Sequence, residues 1–298
     1  MRRAVVTGAT GYLGSALVGR LVDAGWSVAA IVRPTSDRSR LHRVRDRVQF
    51  VVDDGKHETL LQALSAQPVE VVFHLAARSG YEHRPGEVAS MLEANVVFGA
   101  RLLEAMSMSE CKRFVSAATY WQHYDNADYS PVSLYAASKQ AFEDIARFYC
   151  EARGLAAVFL TLFDIYGPDD PRPKVFNQVL AAAKAGQAVA LSPGDQLVDM
   201  VHVEDAARAF LRAGDWLHDN PAPGLSRFLV SAGQRLPLRQ LVERFVSIHS
   251  LRVDLLWGAR PHRAREVMRP WDGIPTLPCW RPELSLDDGL RGLVGAGT

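Results

Sequence analysis

The stretch AVVTGATGYLG, residues 4–14, sets three glycines between an apolar run and a helix-like segment. The apolar run predicts a buried strand at Ala4–Thr7, and the residues after the glycines predict a helix at Tyr12–Ala24. A glycine-rich connection between a first strand and a first helix is typical of phosphate-binding turns. It also occurs as an ordinary tight turn, which is the alternative.

The spacing of the glycines fits a bound pyrophosphate. Gly8 permits the tight turn, Gly11 lets the anion approach the backbone, and Gly14 lets the helix pack closely on the strand. The helix N-terminus adds unpaired N–H groups and the positive end of its dipole. We therefore expect a dinucleotide in contact with the residues of this turn: Gly8, Thr10, Gly11, Tyr12, Leu13 and Gly14.

The rest of the chain alternates short apolar runs with helical segments. Further strands are predicted at Ser27–Val32, Val48–Val52, Val69–Leu75, Arg113–Ser116 and Ala156–Leu162, and helices at Glu87–Met106 and Gln140–Arg153. This order predicts an α/β fold with an N-terminal Rossmann-type, doubly wound parallel sheet and a smaller α/β C-terminal substrate lobe. We place the dinucleotide-binding domain at residues 1–165, with segments around 195–215 returning to it, and the substrate lobe mainly at 166–298.

Composition and charge argue against several classes of partner. A formal net charge of +1 gives no electrostatic reason to expect nucleic acid or an anionic membrane as a partner. The three cysteines, Cys111, Cys150 and Cys279, are far apart and predict neither a metal site nor a disulfide framework. No apolar run approaches the roughly 20 residues of a spanning helix, so we expect a cytoplasmic protein without a metal.

The end of the second predicted strand bears on the form of the dinucleotide. A carboxylate there would bind a ribose 2′-hydroxyl, but the chain has Arg33, followed by Ser36, Arg38 and Arg40. A guanidinium pairs well with a 2′-phosphate, so we expect NADP(H), with NAD(H) as the alternative if these arginines only form a solvated loop. After the third strand come Asp53 and Asp54, whose carboxylates are expected at the edge of the adenine. The alternative is that they form an ordinary exposed turn.

Tyr135 and Lys139 form the candidate catalytic pair. They are four residues apart, so on a helix they share one face. A phenol has an ordinary pKa near ~10, and a neighbouring ammonium is expected to lower that pKa by stabilising the phenolate. The pair can then exchange a proton with an alcohol or a ketone, although the spacing alone also fits an amphipathic helix surface.

These motifs, in this order, resemble the extended short-chain dehydrogenase/reductases, a family of sugar-nucleotide epimerases, dehydratases and reductases. The resemblance covers nearly the whole chain and includes HLAA (74–77), EANV (93–96), LFDIYGP (162–168) and VHVED (201–205). It implies further contacts with the cofactor: Leu75, Ala76, Ala77, Asn95, Ser116, Tyr135, Lys139 and Phe163. It also implies a hydroxyl that hydrogen-bonds the reacting oxygen, which we assign to Thr119, with Ser116 and Ala117 as alternatives if the strand register differs.

The residues after Thr119 narrow the reaction. Dehydratases of the family carry Asp-Glu there, whereas this chain has Tyr120-Trp121, which cannot expel water. Residues 119–124 (TYWQHY) and 134–144 (LYAASKQAFED) resemble the 4-ketoreductases of deoxysugar synthesis, such as the CDP-abequose synthases. This implies an NADPH-dependent reductase of a nucleotide-linked 4-keto-deoxyhexose. The alternatives are a nucleotide-sugar epimerase with tightly bound NAD, a reductase of a non-nucleotide ketone, and a noncatalytic dinucleotide-binding regulatory protein.

By the same resemblance, a nucleotide-diphosphate sugar is expected in the cleft between the lobes. Val198 stands where many relatives have an arginine, and Asp164 where an asparagine is usual, so Arg172, Lys174 or Arg265 must supply the positive charge. The expected substrate contacts are Arg78, Thr119, Trp121, Gln122, Asp164, Lys174, Val175, Gln196 and Arg265.

Aromatic residues after the fifth strand have two possible uses. Trp121 and Tyr124 either line the sugar or complete a small core, and we give His123 no part in proton transfer. The family resemblance also implies a homodimer, formed through Glu87–Met106 and Tyr135–Arg153.

Overall fold

The computed structural model describes residues 1–294, so residues 295–298 of the predicted substrate lobe lie outside the described part. The strands are β1 (Arg3–Thr7), β2 (Ser27–Val32), β3 (Val48–Val52), β4 (Val71–His74), β5 (Arg113–Thr119), β6 (Ala156–Leu162), β7 (Asp164–Tyr166), β8 (Val189–Leu191), β9 (Leu197–His202), β10 (Gly224–Val230), β11 (Arg235–Pro237) and β12 (Leu255–Trp257). The α-helices are α1 (Tyr12–Asp23), α2 (His57–Ser65), α3 (Val88–Leu92), α4 (Phe98–Ser107), α5 (Leu134–Arg153), α6 (Val175–Ala185), α7 (Val203–Asp219), α8 (Leu238–Ile248) and α9 (Leu286–Arg291).

Seven strands form one parallel sheet in the order β10-β6-β5-β4-β1-β2-β3. From β1 the chain builds outward first through β2 and β3 and then, from β4 onward, on the other side. The strand order therefore reverses between β1 and β4, and ligands of open α/β sheets bind at the carboxyl edge beside such a point. The predicted Rossmann-type parallel sheet is confirmed.

Helices cover both faces of this sheet, which is why its strands are apolar on both sides. Ala4, Val5 and Val6 of β1 have no exposed surface. The core on one face is shared by α1 and α7, and the core on the other by α2, α4 and α5. Both cores therefore hold the carboxyl edge of the sheet rigidly in place.

The sheet ends on β10, a strand that the sequence did not lead us to predict. β10 pairs in parallel with β6, and α7, which precedes it, packs against α1. Residues 203–230 thus belong to the first lobe, whereas β9 lies in a separate three-stranded sheet with β7 and β11.

The second lobe is small and is built from short elements, as predicted. It contains the β11-β9-β7 sheet and the two-stranded β12-β8 sheet, with α6, α8 and α9. Its own apolar core centres on Phe176, Val179, Leu241 and Phe245. β7, at residues 164–166, joins the two lobes and brings the second lobe over the carboxyl edge of the first.

Candidate active site

The glycine turn between β1 and α1 forms a cradle that side chains would fill. Gly8 has φ +69°, and a Cβ on it would lie 2.5 Å from the Ala76 nitrogen. A Cβ on Gly14 would overlap the carbonyl oxygen of Gly8. Gly11 caps α1 without a side chain, which leaves the first N–H groups of the helix open to an anion. These features fit a dinucleotide pyrophosphate.

A buried hydrogen bond links the two strands at the switch point. Thr7 Oγ1 and His74 Nδ1 are 2.8 Å apart, and the Ala76 N–H donates to the same hydroxyl. Burial, with the charge of Lys139, lowers the pKa of His74 to about 3, so its ring is neutral. The residues after β4, Leu75 to Ala77, are thus held beside Gly8, where the resemblance placed the cofactor.

At the end of β2, the arginines differ in their contacts. Arg40 donates to the carbonyl oxygen of Asp169 from the other lobe, and Arg38 lies over the Phe50 ring at 4.6 Å. Arg33 is exposed, and within residues 1–294 its guanidinium contacts no carboxylate. Ser36 uses its hydroxyl to accept from the Arg33 N–H. Arg33 is therefore the cation best placed to meet a 2′-phosphate.

The two carboxylates after β3 shape the next turn. Asp53 accepts hydrogen bonds from Arg101 and from the Gly55 N–H. Asp54 accepts from Thr59 and from the Lys56 N–H, and these bonds lower its pKa to about 2. Both carboxylates thus form hydrogen bonds within the turn after β3, and their contact with adenine stays a prediction.

Tyr135 and Lys139 lie on the first turns of α5, which begins with a Ser133 side-chain cap. Burial raises the pKa of Tyr135 to about 12, opposed by the charge of Arg172. Burial also lowers the pKa of Lys139 to about 8, opposed by Glu143. The expected fall in the phenol's pKa is thus corrected, because desolvation of the phenol outweighs the opposing charge, which is that of Arg172. At neutral pH Tyr135 is a protonated phenol.

Thr119 ends β5 and begins a short turn whose bonds fix its hydroxyl. Its Oγ1 accepts from the Trp121 N–H at 3.3 Å, and the Thr119 N–H donates to Gln122 Oε1 at 3.1 Å. The hydroxyl proton stays available to a reacting oxygen. Gln122 has no exposed surface, and its amide nitrogen donates to Gln140. The side chain of Gln122 thus bonds to the Thr119 backbone and to Gln140, and its contact with substrate stays a prediction.

Two predicted cofactor contacts are also buried beneath the site. Ser116 has no exposed surface and donates to the His74 carbonyl oxygen. Asn95 lies in a π-helical turn between α3 and α4, where it bonds to the Arg78 backbone and to Ser138 Oγ. Both side chains are buried and bonded within the chain, and their contacts with the cofactor stay predictions. Asn95 ties the loop after β4 to the helix that carries Lys139.

Aromatic rings form a wall beside Tyr135. The Trp121 ring meets the rings of Tyr135 and Tyr81 edge-on, with centroids 6.2 and 5.6 Å away. Tyr81 was not recognised from the sequence, because its loop carries no motif. His123 is fully buried and stacks on Trp271 at 3.5 Å, which agrees with giving it no part in proton transfer. The Trp121 ring thus lies edge-on to the ring of Tyr135, and its contact with a sugar stays a prediction.

The candidate cations for a diphosphate differ in how they are already paired. Lys174 Nζ lies 2.8 Å from an oxygen of Asp164, which also accepts from Tyr120. Burial opposes ionisation of Asp164, but Lys174 and these hydrogen bonds bring its pKa below the ordinary value. Arg172 donates hydrogen bonds to both carboxylate oxygens of Asp170. Both cations are therefore neutralised by a carboxylate.

Arg265 is the one of the three whose charge is not balanced. It donates to Ser130 Oγ and lies over the Tyr124 ring at 4.2 Å, and no carboxylate of residues 1–294 pairs with it. Its buried Nε has no hydrogen-bond partner in the described chain. Arg265 can therefore still receive an anion.

The remaining predicted contacts take other positions. Arg78 is turned toward α3, where it pairs with Glu87 and Ser90. Val175 begins α6 and packs on the core of the second lobe. Gln196 is buried, and its Oε1 has no partner among the described residues. Phe163 packs with Trp271.

A separate cavity of about 350 Å³ lies in the second lobe. Its lining includes Tyr166, His202, Asp205 and Leu284, and Tyr135 and Lys139 do not contribute to it. It is thus distinct from the site at the carboxyl edge of the large sheet. Over residues 1–294, no helix is both long and apolar enough to cross a membrane, and no group of three metal-binding side chains was found.

The comparisons with known proteins agree with this architecture. The model of the NAD dependent epimerase/dehydratase family matches residues 4–225. A UDP-glucose 4-epimerase of Mycolicibacterium smegmatis is 28% identical over 98% of this chain and 97% of its own length. A CDP-abequose synthase of Salmonella muenchen is 23% identical over 98% and 97%. The structure of a Thermotoga maritima UDP-glucose 4-epimerase with UDP-glucose has a TM-score of 0.81 at 24% identity, covering 97% of this chain and 96% of that one. The chain belongs to the NAD-dependent epimerase/dehydratase family of extended short-chain dehydrogenase/reductases, enzymes that depend on NAD(P).

Proposed function

We propose that this protein is an NADPH-dependent reductase of a nucleotide-linked 4-keto-deoxyhexose. The observation that carries the proposal is the protonated, half-buried phenol of Tyr135, since reduction of a ketone needs a proton donor at that position. The residues after Thr119 are aromatic, which leaves elimination of water without its acid–base pair. The direct test is to compare NADPH consumed with alcohol formed from a nucleotide 4-keto sugar.

Each catalytic side chain has a defined task in this reaction. NADPH, when bound in the glycine cradle, supplies the hydride. Tyr135 donates its proton to the ketone oxygen, and the Lys139 ammonium stabilises the phenolate that remains. Thr119 donates its hydroxyl proton to the same oxygen, because its own lone pair is occupied by the Trp121 N–H. The ring of Trp121 excludes water from one side of the phenol.

The preference for NADPH is assigned to Arg33. Arg33→Asp is expected to raise the KM for NADPH by about tenfold to a hundredfold, because a charge-assisted contact is replaced by repulsion. The KM for NADH should change little or fall. Arg43→Asp, the same charge change at an exposed position later in the connection, is the control. Equal losses with both cofactors would show that Arg33 does not read the 2′-phosphate.

Recognition of the nucleotide diphosphate is assigned to Arg265. Thermal shifts with CDP, UDP, dTDP and GDP should identify a stabilising nucleotide, and Arg265→Gln should weaken its affinity by about tenfold or more. Arg263→Gln, two residues earlier and exposed, should leave the shift unchanged. Stabilisation by none of the four nucleotides would instead support a ketone substrate without a nucleotide.

A nucleotide-sugar epimerase with tightly bound NAD is the second candidate. The 28% identity to a UDP-glucose 4-epimerase and the NAD in the family's description favour it. Such an enzyme recycles its cofactor within one turnover, so it would consume no NADPH.

We also propose a homodimer formed through the helices α3, α4 and α5. The supporting observation is a group of large apolar side chains that these helices and the π turn leave exposed: Val88, Leu92, Val97 and Phe148. Dimerisation through this face would bury them without covering the cleft.

A further inference from the structure

A buried carboxylate lies beside the catalytic lysine and has no task in the reaction described above. Glu143 follows Lys139 by one turn of α5 and has no exposed surface. Neither of its oxygens accepts a hydrogen bond of normal geometry within residues 1–294. Burying an ionised carboxylate is costly unless opposite charges lie close to it. Glu143 must therefore be held by the charges around it.

Arg227, on β10 at the edge of the sheet, supplies one of those charges. Its Nε lies 3.1 Å from Glu143 Oε1, and its guanidinium lies 5.5 Å from the centre of the Trp271 ring. Its Nη2 is 3.3 Å from His123 Nε2. Burial, with the charge of Arg227, lowers the pKa of His123 to about 4, so this ring adds no charge at neutral pH. Glu143 thus pairs directly with Arg227, whereas it acts on Lys139, one helical turn away on α5, at longer range through its charge alone.

Other titratable groups around these three residues contribute little charge at neutral pH or lie toward solvent. His74 faces Lys139 from β4 and is neutral, and Tyr135 is protonated. Arg147 and Asp144, on α5, act on Glu143 from exposed positions, where water screens them. Burial lowers the pKa of Lys139, Glu143 is the charged group that opposes this fall, and Glu143 is itself paired with Arg227.

We propose that Glu143 is a positioning residue that keeps Lys139 protonated beside Tyr135, and that Arg227 limits this effect by competing for the same carboxylate. The inference deepens the proposed function, because it concerns the lysine that stabilises the phenolate in that reaction. It gives β10 and the segment carrying Trp271 a part in setting the chemistry of α5. Without Glu143, two cations would face each other across a buried space.

Substitutions of Glu143 and of Arg227 are expected to shift the titration of Lys139 in opposite directions. Glu143→Gln should lower the pH at which Lys139 loses its proton by about 1 unit, because Arg227 then repels the ammonium unopposed. Arg227→Gln should raise that pH, because the carboxylate of Glu143 then acts on Lys139 without a competing cation nearby. The double variant should return toward the wild type, and Glu151→Gln, the same change at an exposed position two turns farther along α5, should leave the titration unchanged.

NMR of protein labelled with ¹³C-lysine, saturated with NADP⁺, measures this titration directly. The chain has five lysines, and Lys139→Arg assigns the signal. Unmoved titration in both single variants, or shifts in the same direction, would overturn the proposal. If Glu143→Gln does not fold, the upward shift of Arg227→Gln decides the question.

The pH dependence of turnover gives a second readout with the same signs. Activity needs the Lys139 ammonium, so the alkaline fall in kcat should move to lower pH in Glu143→Gln and to higher pH in Arg227→Gln. If the NMR titrations shift as expected but no NADPH is consumed with any nucleotide 4-keto sugar, the proposed function fails and the role of Glu143 stands.

Discussion

Replacing Tyr135 with phenylalanine is expected to lower kcat by about 10²- to 10⁴-fold, the usual contribution of a positioned general acid. The substitution removes only the oxygen that donates the proton, and the ring still packs against Trp121. Cofactor affinity and thermal stability should therefore stay close to those of the wild type. Steady-state kinetics, with fluorescence titration of NADPH, measure both properties.

Tyr149→Phe is the matched control for this experiment. Tyr149 lies on the same helix, and its hydroxyl bonds to Glu104 rather than facing the site. Its replacement should leave kcat unchanged. Undiminished turnover in Tyr135→Phe, with every substrate the enzyme accepts, would remove Tyr135 from the chemical step and support a noncatalytic or differently catalysed function.

Replacing Gly14 with alanine is expected to destabilise the protein by about 1–3 kcal/mol or more and to abolish tight cofactor binding. The new Cβ would overlap the carbonyl oxygen of Gly8, which belongs to the backbone and cannot swing aside. The first turn of α1 would have to move away from β1, and its N–H groups would no longer converge on the pyrophosphate. Thermal unfolding with and without NADPH measures both effects.

Gly19→Ala provides the comparison within the same helix. No atom lies within 4 Å of a Cβ added at Gly19, so alanine there should stabilise the protein by about 0.5–1 kcal/mol through its better helix propensity. If alanine were tolerated equally at both glycines, α1 could not approach β1 as closely as described.

Local sequence patterns sufficed for the features that are built from neighbouring residues. The turn at Gly8, Gly11 and Gly14 and the pair Tyr135 and Lys139 are spaced within single elements, so their geometry follows from helix and strand periods. The ends of β2, β3 and β6 were also predicted to the residue, because each is a short run of mostly apolar residues.

Features that depend on distant parts of the chain were not predictable in this way. β10 contains Ser226 and Arg227 in its middle, which hides a strand that pairs with β6 only after the chain has folded. The ion pair of Arg227 with Glu143 likewise joins residues that are far apart in the sequence. Glu143 stood four residues after Lys139 in the sequence, and that spacing was the one available hint.

The sequence also did not show whether a given side chain faces the cleft or the core. Gln122 and Ser116 were predicted to contact substrate and cofactor, and the sequence did not show that both side chains are fully buried. The pKa of Tyr135 shows the same difficulty, because the spacing to Lys139 was visible in the sequence, whereas the burial that raises this pKa was not. Burial depends on strand register and on the second lobe, which single-sequence patterns do not give.

The measurement that bears most directly on the central claim is the stoichiometry of a complete turnover. Protein freed of bound nucleotide is supplied with NADPH and a nucleotide-linked 4-keto-deoxyhexose, and the NADPH oxidised is compared with the alcohol formed. The reductase proposal predicts one NADPH consumed for each ketone reduced, with cofactor exchanging between turnovers. Interconversion of nucleotide sugars epimeric at C4, by protein that retains NAD tightly and consumes no NADPH, would contradict it.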